Sequence, residues 1–346
     1  MTSVAVAMSG GVDSSVAALI LKDRGYHVFG VTMAVSDFND KAIETAAHVA
    51  AKLDIAHYVV DLKKVFKEKV IEPFCHEYAL GQTPNPCILC NHHIKFNALL
   101  AKTRELGADL FATGHYVRIL ETGNGFKMLK GTDFLKDQSY FLYMLKQEQL
   151  KHSLIPLGGL SKTEVKNIAA DAGIDNVLEH ESQDICFIPN NNCDKFISEN
   201  VNTEPGDIID IDGKIIGQHR GLAYYTIGQR QGLGLSSSGR RYIVRLDTEK
   251  NTVVLGDREQ LFLKKLRAGR LSWISGKIPL HIEQISARIR YKAPESPVKI
   301  KFGDGFCDVE FEHPQWAVTP GQSVVFYNGD EMLGGGIIEA PDLSLS

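Results

Sequence analysis

Apolar residues in the first half of the chain follow two alternating patterns. Short β-branched and apolar runs predict strands at Val4 to Met8, Val28 to Val35, Tyr58 to Leu62 and Leu110 to Thr113. Longer stretches of mixed polarity, such as Ser14 to Arg24 and Asp40 to Leu53, predict helices between them. Strands that alternate with helices in this way form a parallel sheet covered by helices. We therefore predict an α/β fold for this half.

Two further signals in the same half are local. Arg118 to Lys130, with a turn at Gly123-Asn124-Gly125, predicts a β-hairpin. A helix is predicted over Ser161 to Ala172, because Ser161 is followed three residues later by a glutamate and Gly173 follows the last turn.

The pattern changes after about residue 200, where helix signals nearly vanish. Short strands recur between Gly, Pro and Asp turns at Asp207 to Ile211, Lys214 to Gly217, Tyr242 to Asp247 and Thr252 to Leu255, and again from Ile282 to Ile338. This pattern is typical of small β-domains, the last one a barrel. We divide the chain into residues 1–200, 201–270 and 271–346. The helix at 161–173 could pack with either of the first two units.

Composition narrows the class of protein. The 346 residues are 44% apolar and 23% charged, which is ordinary for a globular chain. No apolar run is long enough to span a membrane, and the N-terminus does not resemble a secretory signal. Six cysteines in this length indicate reduced thiols, so we expect a cytoplasmic protein without membrane partners.

The net charge of −4 hides a strong polarity along the chain. Residues 214–301 hold 18 Lys and Arg against 6 Asp and Glu, whereas the residues after 301 hold eight acids and no Lys or Arg. A basic, aromatic-containing stretch favours binding to a polyphosphate backbone. Within it, Arg288, Arg290 and Lys292 alternate and are predicted to share one strand face toward phosphates. Lys264, Lys265, Arg267 and Arg270 could act likewise or simply be exposed.

A glycine-rich loop joins the first predicted strand to the first helix. It reads Ser9-Gly10-Gly11-Val12-Asp13-Ser14. Adjacent glycines let the backbone approach a ligand closely, and a helix N-terminus stabilises an anion. The loop lacks the Lys of a Walker motif and the spacing of a dinucleotide fingerprint. It resembles the loop of ATP-pyrophosphatases, which cleave ATP between the α and β phosphates. Asp13 could help to hold Mg²⁺ or simply cap the helix.

A second motif displays cysteines. Thr83 to Asn91 is a proline-containing loop with a Cys87-x-x-Cys90 pair, and the helical run Ile94 to Leu106 follows it. The helix dipole and Lys95 are expected to favour the Cys90 thiolate. Cys186 lies in another loop, Ser182 to Pro189. Three interpretations remain open: a metal or cluster site, inert buried thiols, or persulfide chemistry between two thiols.

Longer motifs make the chain resemble the bacterial tRNA-specific 2-thiouridylase family nearly from end to end. They are Thr83 to Phe96, Gly114-His115-Tyr116, Asp137-Gln138-Ser139-Tyr140-Phe141, Gln183 to Pro189, Tyr224 to Gly234 and Gln315 to Ile338. The resemblance implies a parallel-sheet ATP-pyrophosphatase domain, a small central β-rich domain that binds tRNA and a C-terminal β-barrel. It implies ATP-dependent thiolation at position 2 of the wobble uridine in glutamate, glutamine and lysine tRNAs.

The resemblance also assigns roles to residues. Cys90 would be the nucleophile and Cys186 the persulfide carrier. The ATP site would comprise Ala7, Met8, Ser9, Gly10, Gly11, Val12, Asp13, Ser14, Met33 and Gly114. The target base would meet Asn85, Pro86 and Cys87. Contacts with tRNA would come from His115, Lys136, Asp137, Gln138, Arg290, Tyr291 and Gln322.

The implied reaction uses ATP and Mg²⁺, releases AMP and pyrophosphate, and can leave a Cys90–Cys186 disulfide. The sulfur donor would be a relay protein or a cysteine desulfurase, and we expect a monomer. One departure concerns Cys87, where some family members carry an aspartate proposed as an acid or base. A thiol there keeps open a cluster-dependent thiolase with Cys87, Cys90 and Cys186 as ligands. A zinc-holding RNA-binding module without catalysis is a further alternative.

Overall fold

The computed structural model describes residues 1–36, 39–174, 185–188, 190, 192–234, 241–279 and 284–340, and all statements below concern these ranges. They form three sheets, which follow one another along the chain except for one hairpin. Gln183 and Asp184 of the predicted second cysteine loop lie outside the described residues. No helix in the described ranges is long and apolar enough to cross a membrane.

A parallel sheet with strand order β3-β2-β1-β4-β7 forms the centre of the first domain, as the sequence predicts. Its strands are β1 Ser3–Ala7, β2 His27–Ala34, β3 Ala56–Asp61, β4 Leu110–Ala112 and β7 Ser153–Leu154. The surrounding helices are α1 Val12–Asp23, α2 Asp40–Lys52, α3 Lys63–Phe66, α4 Glu72–Ala79, α5 Pro86–Leu89, α6 Leu100–Glu105, α7 Gln147–Lys151, α8 Lys162–Asp171 and α9 Cys193–Asn200. A π-helix at Lys67–Ile71 joins α3 to α4, and another at Cys90–Leu99 joins α5 to α6.

Side chains of β1 alternate between two buried cores. Val4 and Val6 pack with the core that involves α1, α2 and α8, whereas Ala5 faces the core under the cysteine-bearing helix. A strand buried on both faces is expected for a parallel sheet covered by helices. The capping box at the start of α8 is confirmed, because Ser161 Oγ accepts from the Glu164 backbone N–H while Glu164 accepts from the Ser161 N–H.

The predicted hairpin is present as β5 Val117–Thr122 and β6 Gly125–Lys130, but it does not belong to the parallel sheet. Strand β6 pairs with the last strand of the barrel, where Met128 lies opposite Met332. Two ion pairs flank this contact, Arg118 with Asp330 and Lys127 with Glu331, each at 2.7 Å. The hairpin therefore fastens the first domain to the C-terminal barrel.

The two later units consist of strands and short 3₁₀ turns at Leu222–Tyr224 and Arg258–Leu261, and a third such turn at Ser139–Leu142 lies in the first domain. The central sheet has the order β10-β11-β8-β9, from β8 Gly206–Asp210, β9 Ile215–His219, β10 Tyr242–Asp247 and β11 Thr252–Gly256. The barrel strands are β12 Phe262–Trp273, β13 Ile285–Arg288, β14 Ser296–Phe302, β15 Phe306–Trp316, β16 Ser323–Asn328 and β17 Glu331–Ile338. Pairing of β12 with both β15 and β17 closes these strands into a barrel.

Strand β12 is absent from the sequence prediction, and it crosses the predicted boundary at residue 270. Its paired residues, from Phe262 to Trp273, have their partners on the barrel strands β15 and β17.

The basic stretch and the acidic tail meet in this barrel. Strand β15 lies between β12 and β14, so that Glu310 is opposite both Lys265 and Lys299, and Asp308 is opposite both Arg267 and Lys301. Hydrogen bonding from Arg267 lowers the pKa of Asp308. Arg270 pairs with Glu77 at 2.9 Å. Four of the eighteen basic residues of this stretch therefore lie opposite acids on a neighbouring strand, where unlike charges stabilise the pairing.

The predicted basic face of Arg288, Arg290 and Lys292 is wrong. Strand β13 ends at Arg288, whose side chain is buried and paired with Asp137 and Glu295 at 2.8 Å each. Arg290 and Lys292 follow in a turn, where the period of two no longer applies. Arg288 thus joins the barrel to the first domain and cannot face phosphates.

Candidate functional site

The glycine-rich loop leaves the N-terminus of α1 open. Gly10 has φ +73°, a conformation that glycine adopts without strain, and Gly11 is the N-cap without a side-chain cap. Ser14 Oγ donates to the Gly11 carbonyl and accepts from the Ser9 N–H, which holds the loop closed on itself. Uncapped N–H groups at a helix start favour an anion, so the loop fits the phosphates of a nucleotide.

The remaining predicted nucleotide residues lie at the same edge of the sheet. Strand β1 lies between β2 and β4, so the order of the strands reverses at β1. Parallel sheets of this kind bind their ligands at such a point, outside the carboxyl ends of the strands. Met33 is near the end of β2, and its carbonyl accepts from Asn39 Nδ2 at 2.9 Å. Gly114 follows β4 and packs directly on the α1 start, since a Cβ there would lie 2.7 Å from the Asp13 carbonyl carbon.

Asp13 is engaged by two other side chains. Lys162 Nζ, at the start of α8, donates to both carboxylate oxygens at 2.7 and 2.9 Å, and the Tyr116 hydroxyl donates at 2.7 Å. Within the described ranges, no group of three or more His, Cys, Asp or Glu could hold a metal ion. In this structure Asp13 is therefore held in a largely buried ion pair with Lys162 beside the loop.

The cysteine pair lies at the start of a continuous helical segment. Asn85 is its N-cap and accepts from the Cys87 N–H at 3.1 Å, and Pro86 occupies the first helical position. Cys87 is exposed, whereas Cys90 is buried and begins the π-helix. π-helical turns are frequent at functional sites.

Cys186 lies beside this pair although it is far away in the sequence. Its loop is anchored by Phe187, whose ring packs against Phe66, Phe74 and Phe196 with centroids 5.4 to 5.6 Å apart. Burial raises the pKa of Cys90 to about 12, and the proximity of Cys186 and Cys87 contributes in the same direction. Cys186 is exposed, yet the surrounding protein atoms and Cys87 raise its pKa too. The three thiols are thus near enough to influence one another electrostatically, although among the described residues they do not form a group that could hold a metal ion.

The expectation that the Cys90 thiolate is favoured is wrong for this structure. Lys95 does lower the pKa of Cys90, but desolvation outweighs it. Cys90 is also one turn beyond Cys87, whereas the dipole effect is confined to the first turn. All six cysteines are free thiols, so the Cys90–Cys186 disulfide is not formed here.

Residue Thr83, just before the cysteine pair, is held by both other domains. Its N–H donates to the Pro320 carbonyl at 2.9 Å, and its carbonyl accepts from Gln322 Nε2 at 2.6 Å. Its hydroxyl lies 3.1 Å from the Thr226 hydroxyl of the central domain. Gln322, predicted to contact tRNA, therefore positions the cysteine loop in this structure.

Two other predicted tRNA contacts are buried in this structure, which does not support that role. His115 hydrogen-bonds through Nδ1 to Thr113 Oγ1 at 2.8 Å, and burial lowers its pKa well below the usual value. Asp137 accepts from Gly131, Ser139 and Arg288 inside the protein. Both side chains stabilise the fold around the site.

The other predicted tRNA residues are half-buried and lie near one another. Gln138 Oε1 accepts from the Tyr116 N–H, while Arg290 donates to the Trp316 carbonyl and lies over its ring. The Tyr291 ring packs on Phe141 at 4.4 Å, and Lys136 precedes Asp137 in the same loop.

Sequence reasoning missed Lys162 and Thr83. The capping box identified the helix that carries Lys162, but nothing local indicates that α8 points at the glycine-rich loop. Thr83 was recognised only as part of the cysteine motif. Both contacts join segments that are distant in the sequence.

We predict that iodoacetamide alkylates Cys87 and Cys186 in the native protein at least about tenfold faster than Cys90, since exposure and thiolate fraction control the reaction. Because the pKa of Cys90 is raised to about 12, its alkylation should still accelerate about tenfold per pH unit between pH 8 and 10. Peptide mass spectrometry after timed quenching measures each rate. Equal rates at all three cysteines before unfolding would contradict the burial of Cys90.

Comparison with known proteins gives consistent matches over the whole chain. The tRNA methyl transferase HUP domain family matches residues 2–190, the tRNA methyl transferase PRC-barrel domain 194–257, and the aminomethyltransferase beta-barrel domain 263–338. The tRNA-specific 2-thiouridylase MnmA of Halothermothrix orenii is 48% identical over 98% of this chain and 99% of its own. The protein of the same name from Dehalococcoides mccartyi is 44% identical over 97% and 96%. A solved 4-thiouridine synthetase–RNA complex with bound ATP is 19% identical, covers 58% of this chain and 50% of that one, and has a TM-score of 0.37.

Proposed function

The chain belongs to the tRNA-specific 2-thiouridylase family, and from this premise we propose that it transfers sulfur to C2 of the wobble uridine of tRNA at the expense of ATP. The observation that carries the proposal is the proximity of Cys87, Cys90 and Cys186 within the same domain as the open glycine-rich loop. A nucleotide site and a thiol pair are what activation followed by sulfur transfer requires.

Activation uses the nucleotide site. A uracil carbonyl oxygen is a poor leaving group, so it first attacks the α-phosphorus of ATP and expels pyrophosphate. The N–H groups at the α1 start would stabilise the negative charge that develops on the departing phosphates. Mg²⁺ would accompany ATP as the counter-ion of the phosphates. None of these steps requires a protein carboxylate as a ligand of the Mg²⁺.

Sulfur transfer uses the thiols. Cys186, being exposed, would receive a persulfide from a relay protein or cysteine desulfurase. Its terminal sulfur attacks C2 and AMP leaves with the C2–O electron pair. The Cys90 thiolate attacks Cys186 Sγ and breaks the S–S bond, so the transferred sulfur is reduced while the two thiols become a disulfide. In the alternative order, Cys90 first releases hydrosulfide, which then attacks C2. Both routes end in the same disulfide, which a thiol reductant must reopen.

The protein environment of Cys90 would control when its thiol reacts. Its burial holds it as an unreactive thiol until the substrate is bound, and Lys95 is the positive charge that favours its ionisation. Asn85, Pro86 and Cys87 at the helix start would face the target base. Cys87 is a thiol of raised pKa, so we assign it no fixed acid or base role.

The remaining assignments follow the family. We propose glutamate, glutamine and lysine tRNAs as substrates, a monomeric enzyme, and the cytoplasm as its location. The region of Lys136, Gln138, Arg290 and Tyr291 would contact the tRNA. We also propose domain boundaries near residues 200 and 262, so that each domain is built around one of the three sheets.

The decisive experiment incubates the protein with unmodified tRNA, ATP, Mg²⁺ and a persulfide-charged donor. Thiolated tRNA is then detected by retarded migration in a mercury-containing gel, and AMP and pyrophosphate are measured in parallel. We expect product only with ATP. Absence of product from the native protein would contradict the proposal, and stoichiometric iron or zinc bound through the three cysteines would favour a cluster-dependent or purely structural role.

A further inference from the structure

An exposed apolar tip stands out on the loop between β6 and the 3₁₀ turn at Ser139–Leu142. Phe134 is 67% exposed and Leu135 is 84% exposed. Single exposed apolar residues are common, but two adjacent ones at a loop tip leave apolar surface in water without a covering element.

The loop that carries this tip is held on both sides. Asp133 accepts from the Leu135 N–H through its side chain and from the Lys136 N–H through its carbonyl, and its second carboxylate oxygen accepts from the Lys162 N–H at 2.9 Å. On the other side, Asp137 is fixed by Arg288 at 2.8 Å. The two apolar side chains are thus displayed from a firmly attached turn.

The orientation of the Phe134 ring is also constrained. The guanidinium of buried Arg288 lies 5.4 Å from the ring centroid, in a cation–π arrangement. With one side of the ring against the protein and most of the side chain exposed, the ring offers a flat apolar surface to a ligand. Such preorganisation lowers the entropic cost of binding.

The tip lies within the candidate site. Asp133 and Asp137 both contribute to the raised pKa of Tyr291, for which burial is the main cause, so Tyr291 is close to the base of the tip. The same segment leads through Gln138 to Phe141, whose carbonyl accepts from Asn91, the neighbour of Cys90. Phe134 is therefore connected by a short ordered path to the cysteine helix.

We propose that Phe134 stacks on an unpaired base of the tRNA anticodon loop next to the target uridine, with Leu135 covering its edge. This inference rests on the proposed function. Withdrawal of the target base from the stack leaves a neighbouring base with an open face, and aromatic side chains bind such faces regardless of base identity. Lys136 adjoins the tip in the sequence and is a basic residue. A protein partner is less favoured, because the tip is small and lies among the residues that would face tRNA.

The test measures binding of an unmodified anticodon stem–loop by the full-length protein and its variants. Phe134→Ala should raise Kd roughly tenfold, because base–aromatic stacking is lost. The slope of log Kd against log salt should not change, since no charge is removed. Phe134→Trp should retain tight binding. Leu120→Ala, which truncates an exposed leucine on β5, serves as the matched control and should bind normally.

Abasic nucleotides on either side of the target uridine identify the base. At one flanking position, the abasic substitution should weaken binding by the wild-type protein. With that abasic RNA, Phe134→Ala should cause no further loss of affinity, because the stacked base is already missing. Three results would overturn the inference. The first is an equal loss of affinity for abasic substitutions at every flanking position, and the second is unchanged binding by Phe134→Ala. The third is a Phe134→Ala defect that is confined to donor-dependent persulfide formation. Failure of the wild-type protein to thiolate tRNA would contradict the proposed function itself, whereas normal thiolation with unchanged binding by Phe134→Ala contradicts only this inference.

Discussion

Replacement of Cys90 by serine is expected to lower tRNA thiolation by roughly three orders of magnitude or more, because a hydroxyl cannot cleave a persulfide. Cys186→Ser should be equally inactive, because the exposed carrier thiol is lost. Thiolated product is measured on mercury gels, and the persulfide on Cys186 by intact-protein mass spectrometry.

The two variants should differ in one respect. Cys90→Ser should still accept sulfur on Cys186 and retain it, whereas Cys186→Ser should accept none in that loop. Cys75→Ser is the matched control, since Cys75 is a partly buried cysteine whose raised pKa comes from burial and Glu72 and not from the other three thiols, and it should thiolate normally. Full product from either Cys90→Ser or Cys186→Ser would exclude the two-thiol mechanism.

Replacement of Gly114 by alanine should impair the nucleotide step. A Cβ at this position would lie 2.7 Å from the Asp13 carbonyl carbon and from the Ser14 nitrogen, both backbone atoms that cannot rotate away. The α1 start must shift, and displacement of a positioning group by about 1 Å typically costs a factor of about 100. We expect kcat/KM for ATP, followed by pyrophosphate release, to fall by about that factor.

Gly159→Ala is the control for this substitution, because no atom lies within 4 Å of the added Cβ and its φ is not positive. It should leave ATP use unchanged. If Gly114→Ala used ATP normally, the close contact between this glycine and the loop would have no functional importance.

Much of the fold could be predicted because its signals are local. Strand β2, helix α2 and the capped helix α8 follow from apolar periodicity and from residues at their ends. Strand β12 was missed because its many Lys and Arg residues mask the apolar alternation. Their charges are matched by acids on β15, which no local pattern reveals.

The features of the candidate site likewise divide into those that consecutive residues reveal and those that depend on packing between distant segments. The glycine-rich loop could be recognised because its chemistry depends on consecutive residues, and the cysteine motif gave Cys87 and Cys90 for the same reason. The burial of Cys90, which reverses its predicted acidity, depends on helices that pack over it from other parts of the chain. The resemblance implied that His115 and Asp137 contact tRNA, whereas their burial depends on packing among several elements and on Arg288.

The sequence by itself determined the α/β first domain, the β-rich remainder, the glycine-rich loop and the Cys87–Cys90 pair, since each is encoded within a short stretch. Only the tertiary structure decided that Cys186 lies near Cys90, that Lys162 pairs with Asp13, and that Thr83 is held by the barrel and the central domain. The physical reason is that hydrogen bonding along a segment depends on neighbouring residues. Burial, charge pairing and thiol proximity instead depend on which distant segments pack together.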